Sequence, residues 1–215
     1  MFNSPDEAVL DLISSYPVLQ SMADDLTRAF QKISASFNAH GTLFVAGNGG
    51  SAADAEHIAG ELLKGFLSPR PLPPALKRAL SAAAADCGTY LADHLQQGLP
   101  CVALTGHPAL TSAVGNDMGG DLSFAQQLNA LARPGDVFLG LSTSGNARNV
   151  LLAAHVARVK NVTVISLTGE HGGALGGVAD ISLKVPGTVT HKIQELHLPV
   201  YHTLCAMLEV AFFPD

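Results

Sequence analysis

Apolar residues recur at helical spacing near the start of the chain. Met22, Leu26, Phe30, Ile33 and Phe37 fall on one face between Ser21 and Phe37. The pattern predicts helix over residues 5–37, broken near Tyr16-Pro17, where proline removes a backbone donor. The period then changes. Thr42–Ala46 is a short, unbroken apolar run that stops at Gly47, and it reads as a buried strand. Cys101–Leu104, Val137–Leu141, Val162–Leu167 and Ile181–Val185 are runs of the same kind. Polar turns separate strands from helical patterns: Gly47–Ser51 precedes Ala52–Phe66, and Ser142–Asn146 precedes Ala147–Val159. Strand, polar turn and helix in repetition predict an α/β fold with a parallel sheet covered by helices. His191–Phe213 closes the chain as a long helix in which Pro199 is expected to kink the axis.

Residues 67–98 leave this rhythm. The prolines of Ser68–Pro74 exclude regular helix and central strand, and Ala75–Gln97 then reads as Ala-rich helix. The stretch is either an inserted, lid-like excursion or an ordinary crossover helix with a long entry. Residues 1–215 are therefore read as one domain, with an N-terminal helical segment 1–40 and an insertion at about 67–98.

Composition narrows the class. Hydrophobic residues make up 47% of the 215 and charged residues 14%, which excludes a disordered chain. So few charges also suggest that part of the surface meets another subunit. The net charge is −6 and the 12 basic residues are scattered, so a nucleic-acid partner is not expected. An anionic ligand must then be held mainly by backbone N–H groups, hydroxyls and helix N-termini. Cys87, Cys101 and Cys205 form no CxxC pattern, and reduced thiols in a cytoplasmic protein are expected. No run approaches the roughly 20 apolar residues of a membrane span.

The polar turns carry candidate chemistry. Asn48, Gly49, Gly50 and Ser51 lie between the first strand and its helix, where a glycine-rich backbone can approach an anion. The run also fits G-x-G-x-x-A, but the acidic residue that a dinucleotide site needs would fall in the proline-rich 67–72 stretch. Ser142, Thr143, Ser144 and Asn146 offer hydroxyls and amides at a second helix start. A plain helix cap would use the same residue types. His57 and Glu61 share a helix face at i,i+4, and Gln194, Leu198 and His202 form a row on the last helix. His, Glu, Gln and His could hold a divalent metal or act as acid and base, and either role competes with ordinary surface pairing.

Taken in order, Gly47–Ser51, His57–Glu61, Val114-Gly-Asn-Asp117, Ser142–Asn146, Leu167–Gly173 and Ile193–His197 with His202 resemble the sugar isomerase (SIS) domain family. Within it they are similar to the phosphoheptose isomerases, which interconvert sedoheptulose 7-phosphate and glycero-manno-heptose 7-phosphate. The resemblance implies a three-layer sandwich on a five-stranded parallel sheet of flavodoxin-like order. It also implies a homotetramer with active sites at subunit interfaces. By matching position, Ser51, Ser142, Thr143 and Ser144 would bind phosphate, and Asn48, Asn116 and Asp117 would contact the sugar. Glu61 would be the base that moves a proton between C1 and C2 through an enediol, with His202 as partner acid/base. His57, Glu61, Gln194 and His202 match the family's zinc residues.

The sequence departs from that pattern in three places. Ala147 stands where a serine is usual, Lys64 and Gly65 where an arginine follows the catalytic glutamate, and His191 where an aspartate precedes the glutamine. These bear on substrate recognition, which makes the reaction type firmer than the substrate. A non-catalytic relative that senses phosphosugars or binds a replication initiator is the alternative. Glu61 and His202 together favour the enzyme, because the initiator-binding branch lacks the acid at the Glu61 position.

Overall fold

The computed structural model describes residues 2–214. Helix α1 (Pro5–Ser15) begins at Ser4, whose Oγ accepts from Glu7 N at 3.2 Å and so satisfies one orphan helix donor. The break at Pro17 is present: a 3-10 turn over Pro17–Met22 leads into α2 (Ala23–Asn38). The predicted strands form as β1 (Leu43–Ala46), β2 (Cys101–Ala103), β3 (Val137–Ser142), β4 (Thr163–Thr168) and β5 (Ile181–Lys184). All neighbours are parallel, in the order β2-β1-β3-β4-β5.

Side chains alternate across this sheet as strand geometry requires. Leu43, Val45, Leu139, Ile165 and Leu183 face α1, α2, α3 (Gly50–Leu63) and α10 (Thr190–Phe212). Phe44, Ala46, Phe138 and Val164 face α7 (Ser123–Leu131), α8 (Arg148–Val159) and α9 (Gly173–Val178). Fully buried Leu26, Ile33 and Leu62 show why the helices stay docked, at about 1.5–3 kcal/mol for each such side chain. Helix α6 (Pro108–Asp117) buries only Val114. Among the described residues no helix is long and apolar enough to cross a membrane.

One expectation needs correction. Residues 75–97 do not form one helix: α4 (Pro74–Ala83) and α5 (Gly88–His94) fold back on each other. No residue of α4 is buried, so a single extended helix would have had no packing to stabilise it. The turn lets Gly88 lie against the backbone of Leu80 and Ser81, where a Cβ would collide. The base of this hairpin is pinned by Gln97 N donating to Arg70 O at 2.7 Å and by Gly65 N donating to Gln96 Oε1 at 2.7 Å. The closing helix is present as expected and runs through Pro199.

The order 2-1-3-4-5 decides where a ligand can sit. The chain leaves β1 toward β2 and then returns past β1 to β3. Successive connections therefore diverge between β1 and β3, opening a crevice at their carboxyl ends.

Candidate active site

Both polar turns lie on that crevice. After β1 the chain turns through Gly49, whose φ of 57° is costly for a side chain. Helix α3 then starts at Gly50 without a side-chain cap; Ser51 N and Ala52 N turn back onto Asn48 O and Gly49 O, so the donors left for an incoming anion are those of Gly49 and Gly50. Gly50 also admits Gln194 of α10: a Cβ here would lie 2.6 Å from Gln194 Nε2. Gln194 thus stands over the glycine loop, and Ser51 is buried beneath it.

The loop after β3 is braced from within. Gly145 (φ 67°) packs against the Gly172 backbone so closely that only glycine fits. Gly169 N donates to Thr143 O at 3.0 Å, and Leu175 N donates to Gly145 O at 2.8 Å. Ser142 is buried and its Oγ accepts from Ala147 N at 3.3 Å, whereas Thr143 is half-buried and Ser144 exposed. The Asn146 amide is already used: Nδ2 donates to Ser144 O and Oδ1 accepts from Ala174 N, both at 3.0 Å. It shapes the loop and leaves Thr143 and Ser144 as the hydroxyls facing outward.

Helices α3 and α10 bring the titratable groups together. His57 Nε2 lies 3.1 Å from Glu61 Oε1 and 3.5 Å from His202 Nε2. His57 Nδ1 lies 3.0 Å from the Tyr201 hydroxyl, which donates to Asp54 Oδ1 at 3.3 Å. Burial, and then the neighbouring His57, hold the His202 imidazole below the usual histidine range, with Glu61 opposing. His202 is therefore mainly neutral at pH 7. Burial raises Asp54, against the Tyr201 hydrogen bond and His57. Burial and the Asp54 charge raise Tyr201, so it stays a neutral donor. Lys64 Nζ reaches Glu61 Oε2 at 3.3 Å, an exposed contact that solvent screens.

The far end of α3 is tied down by a buried ion pair. Arg70 Nε donates to Glu209 Oε1 at 2.8 Å, and the two Arg70 amino groups donate to Leu62 O and Glu61 O at 2.8 and 3.1 Å. Arginine thus satisfies carbonyls that the end of α3 leaves open. The pair fixes α3 against α10, the two helices that carry Glu61 and His202.

The expected site residues are therefore gathered unevenly. His57, Glu61 and His202 meet, and Gln194 lies over Gly50. Asn116 and Asp117 are exposed at the end of α6, where Asn116 Nδ2 donates to Asp117 Oδ1 at 2.7 Å and to no other site residue. Asp54, Tyr201, Arg70, Glu209 and Asn149 escaped the sequence reading. Asp54 lay on the His57 helix at i−3, a usable signal, whereas Tyr201, Arg70 and Glu209 reach their partners only through tertiary packing. No group of three or more His, Cys, Asp or Glu side chains among the described residues is arranged as a metal cage. Yet the donor types suit zinc, and the separations of 3.1 and 3.5 Å about His57 Nε2 bracket the ~3.4 Å between neighbouring ligands of a tetrahedral zinc ion.

Comparison with known proteins shows the family of the chain. The SIS domain family matches residues 9–92 and 81–169. A phosphoheptose isomerase of Rhodospirillum rubrum is 41% identical over 193 residues, covering 90% of this chain and 89% of its own. One from Akkermansia muciniphila is 35% identical over 201 residues, covering 94% and 93%. The structure of phosphoheptose isomerase from Neisseria gonorrhoeae superimposes with a TM-score of 0.72 at 30% identity, over 93% of this chain and 94% of that one. The switch-point crevice and its two polar loops suit an SIS-domain protein, and by the family match and these relatives the chain belongs to that family. Within the family it is an enzyme, a phosphosugar isomerase.

Proposed function

We propose that the enzyme interconverts sedoheptulose 7-phosphate and D-glycero-D-manno-heptose 7-phosphate. The observation that carries this reading is the meeting of Glu61 and His202 on either side of His57, where α3 packs on α10. The relatives named above as phosphoheptose isomerases support the choice of substrate. The phosphate is held by Ser51, Ser142, Thr143 and Ser144 with the backbone donors at the starts of α3 and α8. Glu61 takes the proton from one of the two adjacent carbons and returns it to the other through an enediol. His202, kept neutral by its surroundings, moves the hydroxyl proton. These two residues also favour turnover over the binding-only alternatives.

Zinc belongs to the same proposal, held by His57, Glu61, Gln194 and His202. When bound, it would polarise the sugar oxygens and stabilise the charge that develops on them. The Tyr201 hydroxyl suits this arrangement, because accepting from His57 Nδ1 leaves Nε2 free as a ligand. A homotetramer with sites at subunit interfaces is supported by an open hollow beside His202. It has about 660 Å³ of void and is walled by Leu12, Tyr16, Phe66, Leu198 and Pro199. Such an apolar wall suits a second subunit. A cytoplasmic location fits this reading.

The test is turnover of sedoheptulose 7-phosphate with added zinc, by the unmodified enzyme and by Glu61→Gln. The variant should lose about 10²–10⁴-fold in kcat with its oligomeric state unchanged. Activity within tenfold of the unmodified enzyme would remove Glu61 as the base.

A further inference from the structure

The crevice between β1 and β3 is bridged at one point by two side-chain amides. Asn48, in the glycine loop, donates through Nδ2 to Asn149 Oδ1 at 2.8 Å. Asn149, in the first turn of α8, donates back through Nδ2 to Asn48 Oδ1 at 2.9 Å. We propose that Asn149 is a positioning residue for sugar recognition: its amide holds that of Asn48 across the crevice and so fixes where Asn48 meets the sugar. The proposal rests on the isomerase reading of the site, in which Asn48 contacts the sugar chain.

The hydrogen-bond inventory separates the two partners. An asparagine amide has two donors and two acceptor lone pairs. Asn149 Oδ1 accepts from Asn48 and also from Val150 N at 3.0 Å, so its acceptor is full and the side chain is pinned to its own helix. Asn48 gives one N–H and one lone pair to the clasp and keeps one of each for a ligand. One amide is therefore the anchor and the other the reader.

Position adds a second argument. Asn149 follows the hydroxyl loop directly, and that loop holds its shape through Gly169, Ala174 and Leu175. Asn48 sits at the opposite wall, where Ser51 N and Ala52 N already donate to Asn48 O and Gly49 O, both at 3.0 Å. Neither loop needs the clasp to keep its own form. What the clasp fixes is the span between them and, with it, where the Asn48 amide meets a sugar whose phosphate lies on the two loops. A neutral amide pair does this without placing a charge beside the phosphate.

The test is a double-mutant cycle of Asn48→Ala, Asn149→Ala and the double variant. Dissociation constants for sedoheptulose 7-phosphate and for inorganic phosphate are measured by calorimetry, and kcat/KM where turnover occurs. Each single variant is expected to weaken sedoheptulose 7-phosphate about tenfold, the scale of one net hydrogen bond. The double variant should be no weaker than Asn48→Ala, because Asn149 acts through Asn48. Inorganic phosphate should lose clearly less than the sugar phosphate throughout, because it meets the two braced loops but not the Asn48 amide.

Three results would overturn the proposal: an Asn149→Ala variant that binds the sugar phosphate normally, effects that add in the double variant, or a parallel loss of phosphate binding. The last would make Asn149 a brace of the phosphate loop. An unmodified protein that binds the sugar phosphate without converting it counts against the isomerase reading alone, because the binding cycle still reports on the clasp. Equal affinity of the unmodified protein for sugar phosphate and inorganic phosphate counts against both.

Discussion

Two polar side chains are buried on the same helix, α10, and they are treated in opposite ways. Glu209, near the carboxyl end, accepts from Phe66 N, Leu67 N, Ser68 N and Arg70 Nε at 2.8, 2.7, 3.2 and 2.8 Å. His197, three turns earlier, is fully buried, and neither ring nitrogen has a well-formed hydrogen bond. Burial, opposed only by the Thr168 backbone, pushes its pKa down to about 4. Both lie beneath the active site, yet one is a fully satisfied charge and the other a neutral group without partners. A buried charge survives only with its hydrogen bonds complete, whereas a buried neutral imidazole tolerates their absence at a smaller cost. The two ends of α10 should therefore fail differently.

The largest effect is expected at Glu209. Glu209→Ala removes one member of a buried pair and leaves the Arg70 guanidinium and three loop N–H groups without their acceptor. Breaking such a pair costs about 3–5 kcal/mol, a large share of a typical domain stability of about 5–15 kcal/mol. Urea unfolding at fixed protein concentration measures it. Glu209→Gln keeps one acceptor oxygen and should lose less. Similar small losses in both variants would mean that loop 66–68 re-forms around solvent, and Glu209 would cease to differ in kind from His197.

Neither side of this contrast could be read from the sequence. Strands were legible because buried parallel strands are unbroken apolar runs, as at Thr42–Ala46 and Val137–Leu141. The two ligand loops were legible because glycine and hydroxyl residues cluster at helix starts. His57 and Glu61 were legible because one helix carries both at i,i+4. Their approach to His202 followed from family resemblance, since no spacing rule joins residues 145 positions apart. Arg70–Glu209 spans 139 positions and sits in a stretch whose prolines read only as irregular. Helices α6 and α9 also escaped, because short segments that bury Val114 or Leu175 alone show no periodicity. The break between α4 and α5 was hidden for the opposite reason. An Ala-rich run has helix propensity throughout, and only the lack of anything to pack against decides where it folds back.

The next effect in size is pH dependence. The folded pKa of His197, about 4, lies below the ordinary histidine value of 6.5. Between these two values the unfolded chain binds a proton that the folded protein excludes. Stability contributed by a neutral His197 is thus complete above pH 6.5 and is lost as pH falls toward 4, by ~3 kcal/mol over the window. His202 is shifted in the same direction and Asp54 in the opposite one, so the total curve mixes several groups. The difference between the unmodified protein and His197→Leu isolates this histidine. That difference should grow as pH is lowered from 6.5 to 4 and be flat above 6.5. A flat difference across the whole range would mean that the buried imidazole accepts a proton in the folded state as readily as in the unfolded one.

The smallest effect sharpens the contrast most. At neutral pH, His197→Leu exchanges an imidazole with two unpaired nitrogens for an apolar side chain, inside a core formed by Ile193, Val200, Tyr201 and Leu204. An unsatisfied buried polar group costs about 1–3 kcal/mol, and the change of shape from ring to branched chain returns up to about 1.5 kcal/mol. The variant should therefore be as stable as the unmodified protein or up to ~1 kcal/mol more stable. Glu209 permits no comparable exchange, because an apolar residue there strands donors on another segment. A loss of more than about 2 kcal/mol in His197→Leu would show that the imidazole does have a partner, such as a buried water bridging it to Thr168, and that both ends of α10 obey one rule of complete satisfaction.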